Sequence, residues 1–80
     1  MFCVLLQKFP PNRAERVERI VHKHSGGGLD HLARLAVLQR VRQGEAAIVA
    51  RYAEEHVAVH AVAEFALVGA EASVVNGEPS

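Results

Sequence analysis

Helix-breaking residues divide this chain of 80 residues into short segments. Pro10 and Pro11 hold the residues before them extended and cannot continue a helix. The three glycines at 26–28 are typical of a flexible turn, because glycine readily adopts the left-handed conformation that ends helices. Residues 2–9 are therefore predicted to form a short strand or an extended arm, and helices are expected only after it.

Two helices are predicted between these breaks and Gly44. The first is expected over about 12–24, where Asn12 and a glutamate three residues later resemble a capping box. The second is expected over about 29–43, because leucine and valine recur at helical spacing and Asp30 lies near its positive end. Gly44 is expected to cap this second helix.

The segment after Gly44 carries conflicting signals. Its high alanine content predicts a third helix over about 45–68. At 100° per residue, however, the charges within 51–55 lie on one side of that helix and the polar residues within 56–64 nearly on the other. Three alternatives would remove the conflict: a break near residue 55, burial of the helix on all sides, or a strand over 57–67. The strand is an alternative because apolar residues alternate with other residues in that segment.

The predicted fold class is mainly α, with the N-terminal arm or strand followed by these three helices. The alternative is an α+β fold in which 57–67 forms a strand. We expect one small domain over 1–75 and a disordered polar tail over 76–80.

The core of such a domain is expected to be small. Half of the residues are apolar, but most of these are alanine and valine, so each buried position removes little area at about 25 cal/mol per Å². Cys3 is the only cysteine, which excludes a disulfide within one chain. Self-association is therefore the expected source of further stability.

The expected compartment is the cytoplasm, because a single thiol is typical of a reducing environment. The apolar N-terminal residues lack the length and the preceding positive charge of a secretory signal. The apolar stretch over 57–70 is shorter than the roughly 20 residues of a spanning helix. No membrane association is predicted.

Charge is distributed unevenly, although the formal net charge is zero. Residues 1–42 carry eight Lys and Arg against three acids, whereas residues 43–80 carry one arginine against six glutamates. Such asymmetry bears on partners more than on fold. The expected function is a small non-enzymatic helical interaction or oligomerisation protein, a homo-oligomer or a binder of another protein. Its basic helical hairpin would meet the acidic C-terminal segment within or between chains.

A nucleic-acid accessory protein is one alternative. The first predicted helix carries Arg13, Arg16, Arg19 and Lys23 on its basic side, where they could contact phosphates or another anionic partner. Aromatic residues for base stacking are nearly absent from this half, and the turn does not match a helix-turn-helix. Compensation by the acidic segment is therefore favoured over nucleic acid.

A metal-binding protein is a second alternative, carried by His56, His60 and Glu64. Spacing of four places all three on one helix face, and two imidazoles with a carboxylate are credible zinc ligands. The outer two lie about 12 Å apart along a straight helix, so a second chain would have to complete the site. Zinc is the one cofactor that this alternative needs, and no other cofactor is expected.

Enzymatic activity is not expected. The chain lacks Thr and Trp and contains one Asp, one Cys and three Ser, so few combinations of nucleophile, base and orienting acid exist. His22, His24, Asp30 and His31 flank the glycine turn, which would preorganise them poorly. The bias toward a few residue types is also what an unselected reading frame would show, so a product with no selected function is the remaining alternative.

Overall fold

The N-terminal segment forms the central strand of a three-stranded sheet in the computed structural model, which describes residues 1–25 and 30–77. Strand β1 (Phe2–Lys8) pairs antiparallel with β2 (Ala47–Tyr52) on one side and with β3 (Glu71–Asn76) on the other. The prediction of a strand or extended arm over 2–9 agrees with β1.

Over residues 1–25 and 30–77, three α-helices connect the strands. A short 3-10 turn (Pro11–Arg13) leads into α1 (Ala14–Ser25), which is followed by α2 (His31–Arg42) and, after β2, by α3 (Glu55–Leu67). The element order is therefore β-α-α-β-α-β.

The ends of α2 follow the expected signals. The Asp30 carboxylate accepts a hydrogen bond from the Ala33 backbone N–H at 2.8 Å, which satisfies one of the free donors of the first turn. Gly44 follows the helix with φ of 91°, a conformation that glycine adopts without strain. The cap predicted at Asn12 is absent, because the chain there forms the 3-10 turn, whose N-cap residue is Pro10.

The prediction of a mainly α fold is wrong, because the molecule is an α+β domain. Helices α1 and α2 occupy most of the predicted ranges 12–24 and 29–43, but the helix predicted over 45–68 is split. Its first part is β2, and a helix begins only at Glu55, at the break that separates the two polar sides. Helix propensity is a weak preference, and pairing with β1 overrides it in β2.

The α+β alternative has the right fold class and the wrong strand. Residues 57–67 lie within α3, so the alternation in this segment does not reflect a strand. Helical contacts explain the sequence equally well, because Ala58, Ala61 and Phe65 recur at helical spacing and are fully buried.

The core lies against one face of the sheet. Val4 and Leu6 of β1 are fully buried together with Val17 of α1 and Phe65 of α3, and α2 contributes Leu38. All buried side chains among the described residues are apolar. Many are alanine or valine, so the core is as small as the composition predicts.

The opposite face of the sheet is also largely apolar. Leu5 pairs directly with Ile48 and with Ser73, so these three side chains share the face that points away from Val4. All three are half-buried. Val75 lies on the same face beside Cys3.

The predicted tail over 76–80 begins inside β3, because Asn76 pairs with Phe2. The Gly77 backbone N–H then donates to the Met1 carbonyl at 2.8 Å. Residues 78–80 and the predicted glycine turn over 26–28 lie outside the described residues. Within the described ranges, no helix has the length and apolar character needed to cross a membrane.

Candidate functional site

Glu64 on α3 is the centre of a polar cluster that joins three elements. Its two carboxylate oxygens accept hydrogen bonds from Lys23 Nζ on α1 at 3.0 and 3.2 Å. His24 Nε2 lies 3.2 Å from Glu64 Oε2, and His24 Nδ1 lies 2.5 Å from the hydroxyl of Tyr52 in β2. The His24 side chain is only 10% exposed, so α1, β2 and α3 meet around it.

The contact between His24 and Glu64 is electrostatic, because the buried Nε2 atom is close to the carboxylate without a hydrogen-bond geometry. An unprotonated nitrogen facing a carboxylate would be repelled, so we assign a proton to Nε2. The Tyr52 hydroxyl is also 3.4 Å from the His24 carbonyl, which it can reach as a donor.

The cluster shifts two pKa values in opposite directions. The hydrogen bond from Lys23 is the largest effect and lowers the pKa of Glu64; burial opposes it, and the neighbouring His24 lowers the pKa further. Burial raises the pKa of Tyr52, and the negative charge of Glu64 raises it further. A phenol that is harder to ionise is a weaker nucleophile, so this arrangement supports structural cohesion better than covalent catalysis.

The three residues of the predicted zinc ladder are only partly brought together. His60 Nδ1 lies 3.5 Å from Glu64 Oε1, whereas His56 Nε2 lies 3.2 Å from Glu54 Oε2. Both imidazoles are more than three-quarters exposed. Over residues 1–25 and 30–77, no group of three or more His, Cys, Asp and Glu side chains is arranged to hold a metal. The zinc alternative stays a prediction that needs a second chain.

The residues that flank the predicted glycine turn make separate contacts. His24 belongs to the Glu64 cluster, Asp30 caps α2, and His31 Nδ1 lies 3.0 Å from Glu18 Oε1 on α1. The same Glu18 oxygen is 3.4 Å from Arg34 Nε, so this carboxylate links α1 to α2.

Three of the four predicted basic residues form a surface that we call the basic ridge: Arg13, Arg16 and Arg19. Each is exposed, and none pairs with a carboxylate among the described residues. The fourth residue, Lys23, is held by Glu64. The contact expected between the basic hairpin and the acidic segment is therefore present within one chain, at the end of α1 through Lys23 and Glu64 and at the end of α2 through Arg40 and Glu45.

The sheet has two outer strands, and each pairs only with β1. Strand β2 contacts all three helices, whereas β3 contacts only α3 and β1. The outer side of β3, which we call the β3 edge, carries no proline and no charge between Glu71 and Asn76. Its four inner residues are half-buried and consist of Ala72, Ser73, Val74 and Val75.

Sequence reasoning did not identify the β3 edge or the partners of His24. The available signal for β3 was the β-branched pair Val74 and Val75 between Gly69 and Gly77, which is typical of a short strand between turns. No local pattern could have joined His24 to Tyr52, since the two are 28 positions apart.

Comparisons of this chain with protein-family models, with curated proteins and with solved structures find no significant match.

Proposed function

We propose that this protein is a small, non-enzymatic interaction module that self-associates by pairing the β3 edge of one copy with the β3 edge of another. The observation that carries the proposal is an outer strand whose outward backbone groups have no partner among the described residues. A row of free N–H and C=O groups on a strand without charge between its end residues is a template for another strand.

A second copy fits this edge without opposing like charges. A two-fold axis makes β3 antiparallel to its own copy, and residues directly opposite must share a sheet face. Centring the pair on Val74 places Ser73 opposite Val75 of the second copy and leaves Glu71 beyond the paired region. Two three-stranded sheets would thereby become one continuous sheet of six strands.

The small core gives a reason for this pairing. Most core positions outside Phe9, Phe65 and a few leucines hold alanine or valine, so a single copy buries little apolar surface. Each favourable cross-strand pair adds about 0.2–1 kcal/mol, and pairing also satisfies the free backbone groups of the edge. We also expect a cytoplasmic location, because the lone Cys3 is fully buried and suits a reducing environment.

A substitution at the β3 edge tests the proposal. Val75→Lys places a charge at a half-buried position of β3, on the sheet face opposite to the core. Val59→Lys makes the same change at an exposed position of α3. We expect Val75→Lys to reduce the association constant at least tenfold and Val59→Lys to leave it within about twofold, measured by analytical ultracentrifugation. Equal effects of the two variants would contradict pairing through β3.

The basic ridge favours a second candidate function, the binding of a polyanionic partner such as a nucleic acid backbone. Three exposed arginines, which have no carboxylate partner in the described part of the chain, supply the positive charges that phosphates require. This function would use a surface of α1 that the β3 edge does not include.

The test of this second candidate is a salt titration of binding to a labelled single-stranded oligonucleotide. We expect affinity to fall as salt rises, and Arg16→Gln to lower the slope of log K against log salt by about one. Lys8→Gln is the control, because Lys8 is an exposed cation at the end of β1. No binding at low salt, or equal losses in both variants, would rule out the basic ridge as the binding surface.

A further inference from the structure

Helix α2 presents two leucines to solvent. Leu32 is 75% exposed and Leu35 is 43% exposed, and their side chains are neighbours on the helix surface because they lie three positions apart. Ala36 and Gln39 are also exposed and continue the same side of the helix. We call the surface formed by Leu32, Leu35, Ala36 and Gln39 the α2 face. Exposed apolar residues that are contiguous mark interaction sites, whereas single exposed leucines do not.

The spacing of the apolar residues explains why these two leucines lie outside the core. Apolar residues recur in α2 at intervals of three, at Leu32, Leu35, Leu38 and Val41. Each interval turns the helix by about 300°, which is about 60° short of a full turn, so the series winds around the helix. Leu38 and Val41 reach the core and are buried, whereas the first two members of the series end on the solvent side.

The charged side chains of α2 are all positive, and the helix contains no acidic residue. They belong to Arg34, Arg40 and Arg42. Carboxylates that contact α2 are held by its own cations. Glu18 pairs with Arg34. Glu45 pairs with Arg40. Since these acids are already engaged, the charge left at the open side of the helix is positive, which favours a partner with negative charge.

Arg42 supplies this charge at the end of the α2 face. It follows Leu35 by seven positions, which is close to two full turns, so the two lie in line along the helix. The Arg42 guanidinium lies 5.6 Å from the centre of the Phe9 ring, a contact that needs none of its N–H donors. No carboxylate pairs with Arg42 over residues 1–25 and 30–77. The ring holds the guanidinium in place before a partner arrives, which lowers the entropy cost of binding.

We propose that the α2 face binds an acidic amphipathic helix of another protein. Apolar side chains of the partner would pack against Leu32 and Leu35, and a glutamate or aspartate would pair with Arg42 about two turns further along. A second copy of α2 fits less well, because a helix whose charges are all positive repels its own copy. The proposal rests on the proposed interaction function but not on pairing through the β3 edge, which the α2 face does not include.

The first test is a selection from a library of helical peptides displayed on phage. The peptides have about 18 residues, because shorter helices are marginal in water. The positions of one face vary among Leu, Ala, Gln, Glu and Lys, so that acidic, neutral and basic amphipathic helices are all present. We expect immobilised wild type to select peptides with leucines on one side and a net negative charge, and we expect Leu32→Glu to retain none of them.

Two results of the selection would overturn the proposal. One is the selection of peptides with a net positive charge, because the charge of α2 would then not determine the partner. The other is the absence of any peptide whose binding depends on Leu32. Leu32 is exposed, so Leu32→Glu should keep the thermal unfolding curve of wild type in circular dichroism.

Substitutions with matched controls locate the site, using the affinity of the tightest selected peptide. Leu32→Glu should weaken binding at least tenfold, and Arg42→Gln about tenfold. Leu67→Glu is the control for the first, since Leu67 is an exposed leucine of α3. Arg40→Gln is the control for the second, because Arg40 already pairs with Glu45. Each control should stay within about twofold, and a control that loses as much as its partner variant would contradict the α2 face as the site.

The same variants identify other occupants of the α2 face. A loss of self-association in Leu32→Glu would assign the face to a second copy of the chain. Binding of wild type, but not Leu32→Glu, to vesicles of phosphatidylserine and phosphatidylcholine in equal parts would assign it to a membrane surface. Either result would overturn the proposal. Val75→Lys should bind the selected peptide as wild type does, so this proposal and self-association fail separately.

Discussion

At the scale of single residues, Glu64 connects parts of the chain that lie far apart in sequence. Its hydrogen bond with Lys23 spans 41 positions, and its neighbour His24 reaches on to Tyr52. The Glu64 side chain is 19% exposed, so water screens the cluster only in part. Because of these contacts, protonation of the Glu64 carboxylate is coupled to folding.

Acid should weaken this cluster. Because the folded state lowers the pKa of Glu64, its stabilising contribution is present above the pKa of the unfolded state and is lost as pH falls through the lower folded pKa. We expect Glu64→Gln to cost about 1 kcal/mol near pH 7, since exposed Lys23 limits the gain. Wild type and variant should converge in stability at acidic pH.

The measurement is urea unfolding followed by circular dichroism at several pH values and one protein concentration. Glu45→Gln is the matched control, because Glu45 also pairs with a cation but is 61% exposed. Its effect should be within about 0.5 kcal/mol. A Glu64→Gln variant that keeps the full acid dependence of wild type would show that other carboxylates control acid unfolding.

At the scale of secondary-structure elements, the small side chains of α3 allow this helix to lie close to the sheet. Ala58 and Ala61 are fully buried on its inner side, next to the large ring of Phe65. Short side chains let the backbone of α3 lie near β1 and β3, and the interior leaves no room for larger ones.

Enlarging one of these alanines should therefore destabilise the fold. We expect Ala61→Leu to cost about 1–3 kcal/mol because it overpacks the contact between helix and sheet. Ala63→Leu is the control, since Ala63 lies on the exposed side of the same helix and should change stability by no more than about 0.5 kcal/mol. Equal stability of the two variants in urea unfolding would mean that α3 does not pack as described.

Elements that are determined by nearby residues could be predicted from the sequence, and elements that are determined by distant residues could not. Helix α2 could be predicted because Asp30 and Gly44 mark its ends locally. Strand β2 could not, because its alanines favour a helix and only pairing with β1, more than 40 positions earlier, makes it a strand. In the sequence of α3, apolar residues occur both at every second position and at helical spacing. The residues that are buried, Ala58, Ala61 and Phe65, follow the helical spacing.

The candidate surfaces were predictable to different degrees. The arginines of the basic ridge could be named from the sequence, because exposed charges at helical spacing are a local pattern. The β3 edge depends on which strand pairs with which, and that information is spread over the whole chain. His60 lies near Glu64 as its spacing predicts, whereas His56 pairs with Glu54 at the start of α3.

At the scale of the whole molecule, a small core and open strand edges occur together. The radius of gyration is 11.3 Å, and the sheet has only three strands, so much of its backbone lies at an edge. The charge contact that the sequence suggested between the two halves is made inside one chain by Lys23 and Glu64. The proposed association through the β3 edge would therefore depend on backbone pairing and apolar contacts, and it should be only weakly sensitive to salt.

The most direct test of self-association through the β3 edge is the mass of the wild-type protein by sedimentation equilibrium over a wide concentration range, at low and high salt. We expect the mass to rise from 8.7 kDa toward twice that value with concentration, and we expect that high salt does not reverse the rise. A mass of 8.7 kDa at every concentration would contradict self-association. A dimer that dissociates in high salt would contradict pairing through the β3 edge.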